Sequence, residues 1–218
     1  MPDITPDELM KLPILLKRVE EVREFRLASK NKQTQDSAKV PWRFGQYRAP
    51  AKHYIAFAKV SSERRRYMPF GFLTDDVIPG DKLFTIPDAT LYHFGVLTSN
   101  VHMAWMRTVC GRMKSDYSYS TTIVYNNFPW CDPTPEQKAA IEKTAQGILD
   151  ARAKYPNSSL SDMYGEKMFL FSDLLKAHQA NDVAVMRAYG LSTKGDVTES
   201  SCVAFLFEKY REITERKK

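Results

Sequence analysis

With 218 residues, 43% hydrophobic and 27% charged, the chain has room for one large domain or two small ones of ordinary globular composition. It holds no apolar run near the ~20 residues that a bilayer requires and no signal-like N-terminal stretch. Cys110, Cys131 and Cys202 are too few and too scattered for a disulfide framework or a zinc site, so a reducing cytoplasm is the expected setting. The formal charge is +6, yet residues 1–66 hold 15 Lys and Arg against 8 Asp and Glu, while residues 67–133 are net negative and the remainder is near balance. Such asymmetry suits a polyanion, most often nucleic acid; a solvated basic helix face fits the same count.

Thr5-Pro6-Asp7-Glu8 has the make-up of a helix start, with a capping hydroxyl, a proline suited to the first turn and Glu8 to close a capping box. Leu12, Leu15, Leu16, Val19, Val22 and Phe25 follow at helical spacing, and Pro13 predicts a kink or a restart. The helix fades near Ser29. From His53 to Pro87, HYIAFAKV, RRRYMPFGFL and KLFTIP read as short strands between Pro, Gly and Asp turns. A largely apolar helix is predicted from about His93 to Met113, then a polar hinge, KSDYSYS, and a short strand, TTIVY. Past Asp132, Thr134-Pro135-Glu136-Gln137 repeats the capping logic, and Ile141, Ala145, Ile148 and Leu149 line one face before Pro156. Further helices are predicted from Ser172 to Tyr189, stopped by Gly190, and from Thr198 to about Thr214. The expected class is α+β: a small irregular mixed sheet with long helices over residues 1–132, followed by a C-terminal helical bundle over 133–218.

No catalytic constellation stands out. An S-adenosylmethionine site would show a Gly-rich loop after a strand, and a base-gripping site a polar-Pro-Pro-aromatic motif. The nine glycines are dispersed. Asn126-Asn127-Phe128-Pro129-Trp130 resembles the grip superficially, with its proline misplaced; the competing reading is a turn that plugs Phe128 and Trp130 into a core. His53, His93, His102 and His178 share no metal spacing with other ligands, and His102, on an apolar helix, reads as a hydrogen-bonded core residue. There is no GxSxG elbow and no nuclease PD…ExK arrangement. The expectation is a chain with no catalytic residue, no metal and no cofactor of its own.

Two clusters suit DNA. In Ser61-Ser62-Glu63-Arg64-Arg65-Arg66-Tyr67, three adjacent arginines cannot all face one way on a strand. Guanidinium groups bind phosphate bidentately, and Ser61 and Ser62 add neutral contacts; the alternative is an internal ion-pair hub through Glu63. The second cluster is Arg107, Arg112 and Lys114-Ser115-Asp116-Tyr117-Ser118-Tyr119-Ser120. If the hinge is extended, Lys114, Asp116 and Ser118 lie in a row on one face. Lys suits the O6 and N7 acceptors of guanine and Asp the amino group of cytosine, so the pair can read both halves of one G·C pair. A Lys–Asp pair closed on itself in a solvated loop fits the same residues.

The strings SSERRRYMPFGFL, PDATLYHFGVLTSNVHMAWMRTVCGRMKSDYSYS and IVYNNFPW resemble the target-recognition region of MmeI-like (type IIL) fused restriction–modification enzymes, and the likeness runs over nearly all of residues 8–131. LLKAHQANDVAVMRAYG and TESSCVAFLFEKY resemble that family's C-terminal helical piece. These bacterial proteins join a nuclease, an adenine-N6 methyltransferase, a recognition domain and a helical domain. The resemblance implies base reading by Lys114, Asp116 and Ser118, with a further position at or near Lys82 that partners Ser118. It also implies guanine on the recognition strand opposite the Lys114–Asp116 pair, and guanine again for Lys82 with Ser118. Backbone clamping is expected from Ser61, Ser62, Arg64, Arg65, Arg66, Arg107 and Arg112. Two departures stand out: Cys131 replaces a common Pro, and YGEKMFLFSDLL replaces a more Pro-rich connection. The nuclease and methyltransferase portions have no counterpart in these 218 residues. The expected role is therefore a non-catalytic, DNA-reading part of a methyltransferase, whether a piece of a longer protein or a split specificity subunit. Double-stranded DNA and the methyltransferase domain are its partners, and S-adenosylmethionine is held elsewhere. A protein-interaction module and a small enzyme acting through Asn126–Trp130 are the alternatives.

Overall fold

The computed structural model describes residues 4–44, 51–193 and 198–216. The chain divides into two compact units, Met1–Ala49 and Pro50–Lys218.

The first unit holds α1 (Pro6–Met10), α2 (Pro13–Leu27), α3 (Lys32–Asp36) and a 3-10 turn over Ser37–Lys39. The capping box forms as the sequence predicts: the Thr5 hydroxyl accepts from Glu8 N–H at 3.3 Å and the Glu8 carboxylate accepts from Thr5 N–H at 2.9 Å. Pro13 restarts the helix, because a ring without an N–H is tolerated only in a first turn. Arg26 donates to the carbonyls of Ser37, Val40 and Arg43 at 2.7–3.2 Å, tying down the returning chain. Within this unit Leu9 and Ala38 are buried, whereas α2 buries none of its residues fully. Two five-residue helices offer too little surface to cover its apolar stripe.

The second unit starts with β1 (His53–Ala58), β2 (Val60–Ser61), β3 (Phe70–Thr74) and β4 (Leu83–Pro87). Strand β1 is the centre of a three-stranded sheet in the order β3-β1-β4, with Ile55 opposite Phe72 and Ile86 and Phe57 opposite Phe70 and Phe84. A second sheet, β2-β6-β5, is completed by β5 (Gly111–Met113) and β6 (Asp116–Ser118). Every pairing among the described residues is antiparallel, so the expected single mixed sheet is in fact two small antiparallel ones. Lys59 joins them: its N–H donates to Lys82 C=O at 2.9 Å, and its own carbonyl accepts from Tyr119 N–H at 2.8 Å.

The predicted helix over 93–113 is two helices, α4 (Leu91–Leu97) and α5 (Asn100–Val109). Thr98 and Ser99 break it. Their hydroxyls donate back to the carbonyls of Phe94 and Val96, and Ser99 Oγ then caps His102 N–H at 3.4 Å. Such local bonds offer the backbone an alternative to helix. TTIVY is not a strand but a π-helical turn over Thr121–Tyr125. Its β-branched residues are overruled by the bond that Ile123 N–H donates to Ser120 Oγ and by burial of Val124, whose carbonyl accepts from Trp105 Nε1 at 3.0 Å.

Among the described residues four α-helices follow: α6 (Pro135–Ala153), α7 (Leu160–Met163), α8 (Ser172–Ala188) and α9 (Glu199–Glu215). Helix α6 packs on α8 and α4, and α9 on α5. Gly95 permits the close approach of α4 to α6, and Asn181 Nδ2 donates to its carbonyl at 2.7 Å. Residues on both sides of position 132, from Phe94 and Trp105 to Ile141 and Leu206, fill one continuous core.

Candidate nucleic-acid interface

The hinge after α5 is a β-hairpin rather than a single extended stretch. Gly111 pairs with Ser118, Arg112 with Tyr117 and Met113 with Asp116, leaving Lys114-Ser115 as a two-residue loop. Lys114 takes φ 56°, a left-handed conformation unusual for a side-chain-bearing residue, and Arg112 Nη1 holds the loop by donating to Ser115 C=O at 2.9 Å. On one face the Arg112 guanidinium lies 4.2 Å from the Tyr117 ring centre. Tyr117 is buried and pairs with Ser61 of β2. The other face therefore carries Met113, Asp116 and Ser118. Asp116 and Ser118 share a face as the alternation predicts. Lys114 leaves that row and stands exposed at the hairpin tip.

Neighbouring groups steady this face. Asp116 Oδ1 accepts from Glu63 N–H at 3.4 Å. Val60 and Gly111 flank Ser118 from the two neighbouring strands. Lys82 precedes β4; its ammonium is exposed and pairs with Asp81 at 3.2 Å. Through Lys59, the Lys82 backbone is joined to Tyr119, the residue after Ser118. Lys59 thus stands between the Lys82 carbonyl, just before β4, and the chain just after Ser118.

The three arginines after β2 diverge. Arg64 Nη1 meets Glu166 at 2.5 Å, and Arg65 donates to Ser61 Oγ at 3.4 Å and to Ser161 Oγ at 3.3 Å. Arg66 lies 5.6 Å from the Tyr67 ring centre. Ser62 Oγ accepts from Arg64 N–H at 3.3 Å, while Ser61 is buried. Glu63 is not the hub: its carboxylate stands 3.9 Å from Arg112 and the strong partner of Arg64 is Glu166. Arg107, only 23% exposed, pairs with Glu199 at 2.9 Å and donates to Arg66 C=O at 2.7 Å, which pins the end of the arginine loop.

Sequence reading missed what holds that loop from beneath. Tyr67 OH donates to Asp182 at 2.6 Å, and the other Asp182 oxygen accepts from Asn100 N–H, at the start of α5, at 2.7 Å. The Tyr67 ring stacks on His178 at 4.2 Å, His178 bonds Tyr164 at 2.7 Å, and Arg152 reaches both Tyr164 and Phe70 C=O. Burial pushes the Asp182 carboxyl up to about 6 and the His178 imidazole down to about 3. A signal was available: His178, Asn181 and Asp182 fall on the same helical stripe as Leu174 and Val185, a polar cluster on a buried face.

The remaining candidates are structural. His102 is fully buried, bonds Tyr119 OH at 3.1 Å, and is held down to about 4 by desolvation. Phe128 is buried against His102, Trp105 and Trp130, and Asn127 Nδ2 donates to Thr122 C=O, so Asn126–Trp130 forms a plugged turn. Among the described residues no three His, Cys, Asp or Glu side chains are grouped to hold a metal, and no helix is long and apolar enough to cross a membrane.

Comparison with known proteins agrees with this architecture. The family profile "MmeI, target recognition domain" matches residues 1–132, and "MmeI, C-terminal domain" matches residues 133–217. DNA methyltransferase A of Bacillus subtilis (strain 168) is 32% identical over 210 residues, which is 96% of this chain and 23% of that protein. A solved structure of the Type IIL restriction-modification enzyme MmeI in complex with DNA superimposes with a TM-score of 0.87 at 43% identity, covering 97% of this chain and 28% of that one. The chain thus spans about a quarter of the length of the relatives it matches. With two family profiles end to end across the sequence, the chain belongs to the MmeI family, as its target recognition domain followed by its C-terminal domain.

Proposed function

We propose that the chain reads a short sequence in double-stranded DNA on behalf of an S-adenosylmethionine-dependent adenine-N6 methyltransferase in the bacterial cytoplasm, and is not itself catalytic. The β5–β6 hairpin carries this reading: its two strands set Asp116 and Ser118 on one half-buried face and its two-residue loop holds Lys114 exposed at the tip, with the opposite face packed away through Tyr117. A two-stranded ribbon fits the major groove, where each base pair presents a distinct set of donors and acceptors. Lys114 donates to guanine O6 and N7, and Asp116 accepts from the amino group of the paired cytosine. Lys82, linked through the Lys59 backbone to the residue after Ser118, works with Ser118 on a second guanine. Ser62, Arg64 and Arg65 hold the sugar–phosphate backbone, with Ser61, Arg66, Arg107 and Arg112 setting the loop and hairpin that present them. Residues 1–132 carry recognition, and residues 133–218 brace it. The parent's catalytic domain holds the methyl donor and receives the flipped adenine while this chain grips the duplex.

The test is selection from a randomised duplex pool at low salt by the chain and by a Lys114→Glu, Asp116→Arg double variant. The expected result is an enriched motif with guanine at one position in the first case and a changed base at that position in the second. An unchanged motif removes these two residues as readers. Absence of any DNA binding removes the function.

A further inference from the structure

We propose that the groove between the arginine loop and the α7–α8 connection is a seat for the DNA sugar–phosphate backbone, which Glu166 occupies until a phosphate displaces it. This rests on the DNA-reading role above and adds a contribution from the C-terminal helices to binding. The groove is open, with a volume of about 520 Å³, and is lined by Ser62, Arg64, Arg65, Ser161, Glu166 and Lys167 among others. Its chemistry is that of an anion site: two guanidinium groups, an ammonium and two hydroxyls converge on it. Asp162, also on the lining, is already committed to the Ser159 hydroxyl and N–H at 2.6 and 2.9 Å. That leaves Glu166 as the acceptor facing Arg64, at 2.5 Å.

The Arg64–Glu166 pair has the character of an exchangeable contact. Both side chains are mostly exposed, 70% and 61%, so solvent screens the attraction and each can be rehydrated at little cost. A phosphate accepts two parallel bonds from a guanidinium, and its capture also releases counterions from the DNA, a gain that Glu166 cannot match. Position supports the assignment as well. The loop continues directly from β2, whose Val60 and Ser61 pair with Ser118 and Tyr117 of the reading hairpin. A strand backbone seated here lies beside the bases that Asp116 and Ser118 face, as phosphate contacts that fix the register of base readers should.

The competing idea, that the pair is a simple brace, predicts the opposite sign. The experiment is a salt series of binding to a labelled duplex carrying the pool-selected motif, using the full chain, Glu166→Gln, Arg64→Gln, their double variant and Lys167→Glu, with thermal melting of each as a check on folding. Displacement predicts that Glu166→Gln tightens binding about two- to fivefold without changing the preferred motif. Arg64→Gln weakens binding and lowers the slope of log K against log salt by about 0.9. In the Arg64→Gln background the gain from Glu166→Gln disappears, because the two act through one contact. Lys167→Glu weakens binding on all sequences alike. If the parent chain selects its motif but Glu166→Gln binds equally or more weakly, or tightens binding regardless of Arg64, the seat is wrong while sequence reading stands. If the parent chain selects nothing, it is the reading role that fails.

Discussion

The buried carboxylate beneath the arginine loop should make acid stability depend on Asp182 in an unusual direction. Its carboxyl titrates near 6 in the fold against an ordinary 3.8, because burial outweighs the bonds from Tyr67 and Asn100 and the pull of Arg66. A raised folded value means that the native state binds the extra proton, so this group adds stability below 3.8 and loses it as pH rises through 6. His102 and His178 do the reverse. Held down to about 4 and about 3 from 6.5, they stabilise above 6.5 and cost stability as pH falls. Between pH 6 and 4 two protons therefore favour unfolding and one opposes it. These three groups give a net slope of one proton, roughly 1 kcal/mol per pH unit, falling toward acid. Asp182→Asn removes the opposing proton and roughly doubles that slope. Carried from pH 7 to 4.5, the variant loses about 2 kcal/mol more than the parent chain. Urea unfolding followed by circular dichroism at several pH values measures the divergence. The exposed carboxylates are common to both proteins and cancel in the comparison. Parallel stability curves would show that Asp182 is not desolvated as the structure has it, and a divergence of opposite sign would overturn the linkage.

Three further outcomes follow from particular contacts. A Cβ on Gly95 would stand 2.6 Å from Ile141 Cγ2 and 3.1 Å from Asn181 Oδ1, with Ile141 fully buried. Overpacking of about 1–3 kcal/mol outweighs the ~1 kcal/mol of helix propensity gained, so Gly95→Ala should lower the melting temperature, and an unchanged value would contradict the close packing of α4 on α6. Thr134→Ala removes the acceptor for Gln137 N–H at the start of α6 and should cost about 1 kcal/mol in urea unfolding. Tyr117→Ala removes the ring under Arg112 and should broaden base preference in pool selection while leaving salt-sensitive binding in place; a sharp motif from this variant would show that the hairpin needs no such backing.

Local chemistry written in short strings was legible without the structure. Both capping boxes, at Thr5 and Thr134, formed on the residues that announce them, and Gly190 ends α8 with φ 73°. The helical tail followed from capping signals and apolar spacing, and Phe128 is buried as one of the two readings of Asn126–Trp130 had it. Boundaries decided by competition were not legible. Thr98-Ser99 reads as mid-helix until the hydroxyls are seen turning back on Phe94 and Val96, and TTIVY reads as strand until Trp105 claims the Val124 carbonyl. The alternation of Lys114, Asp116 and Ser118 was legible as a pattern, but it assumed one extended segment. A two-residue turn, with φ 56° at a lysine, carries no sequence mark of the usual Gly or Asn kind.

The most consequential feature lay beyond the reach of local pattern, because it spans more than a hundred residues of sequence. The arginine loop after β2 is held by partners from the C-terminal part of the chain: Asp182 on Tyr67, Glu166 on Arg64, Ser161 on Arg65, and Glu199 through Arg107 on the Arg66 carbonyl. The family boundary at residue 132 is thus not a boundary of the core, since residues 50–218 make one compact unit. A loop with three like charges repels itself and gains little from exposed pairs taken singly. Its conformation is set instead by the buried Tyr67–Asp182 bond, and the guanidinium groups fan outward from that anchor. Altering α8 should therefore change how the loop meets a duplex even though no residue of α8 is among the proposed readers. Exchanging residues 114, 116 and 118 leaves that anchor untouched. On the proposed reading, base preference can vary on the hairpin while the backbone grip, built from both parts of the chain, stays the same.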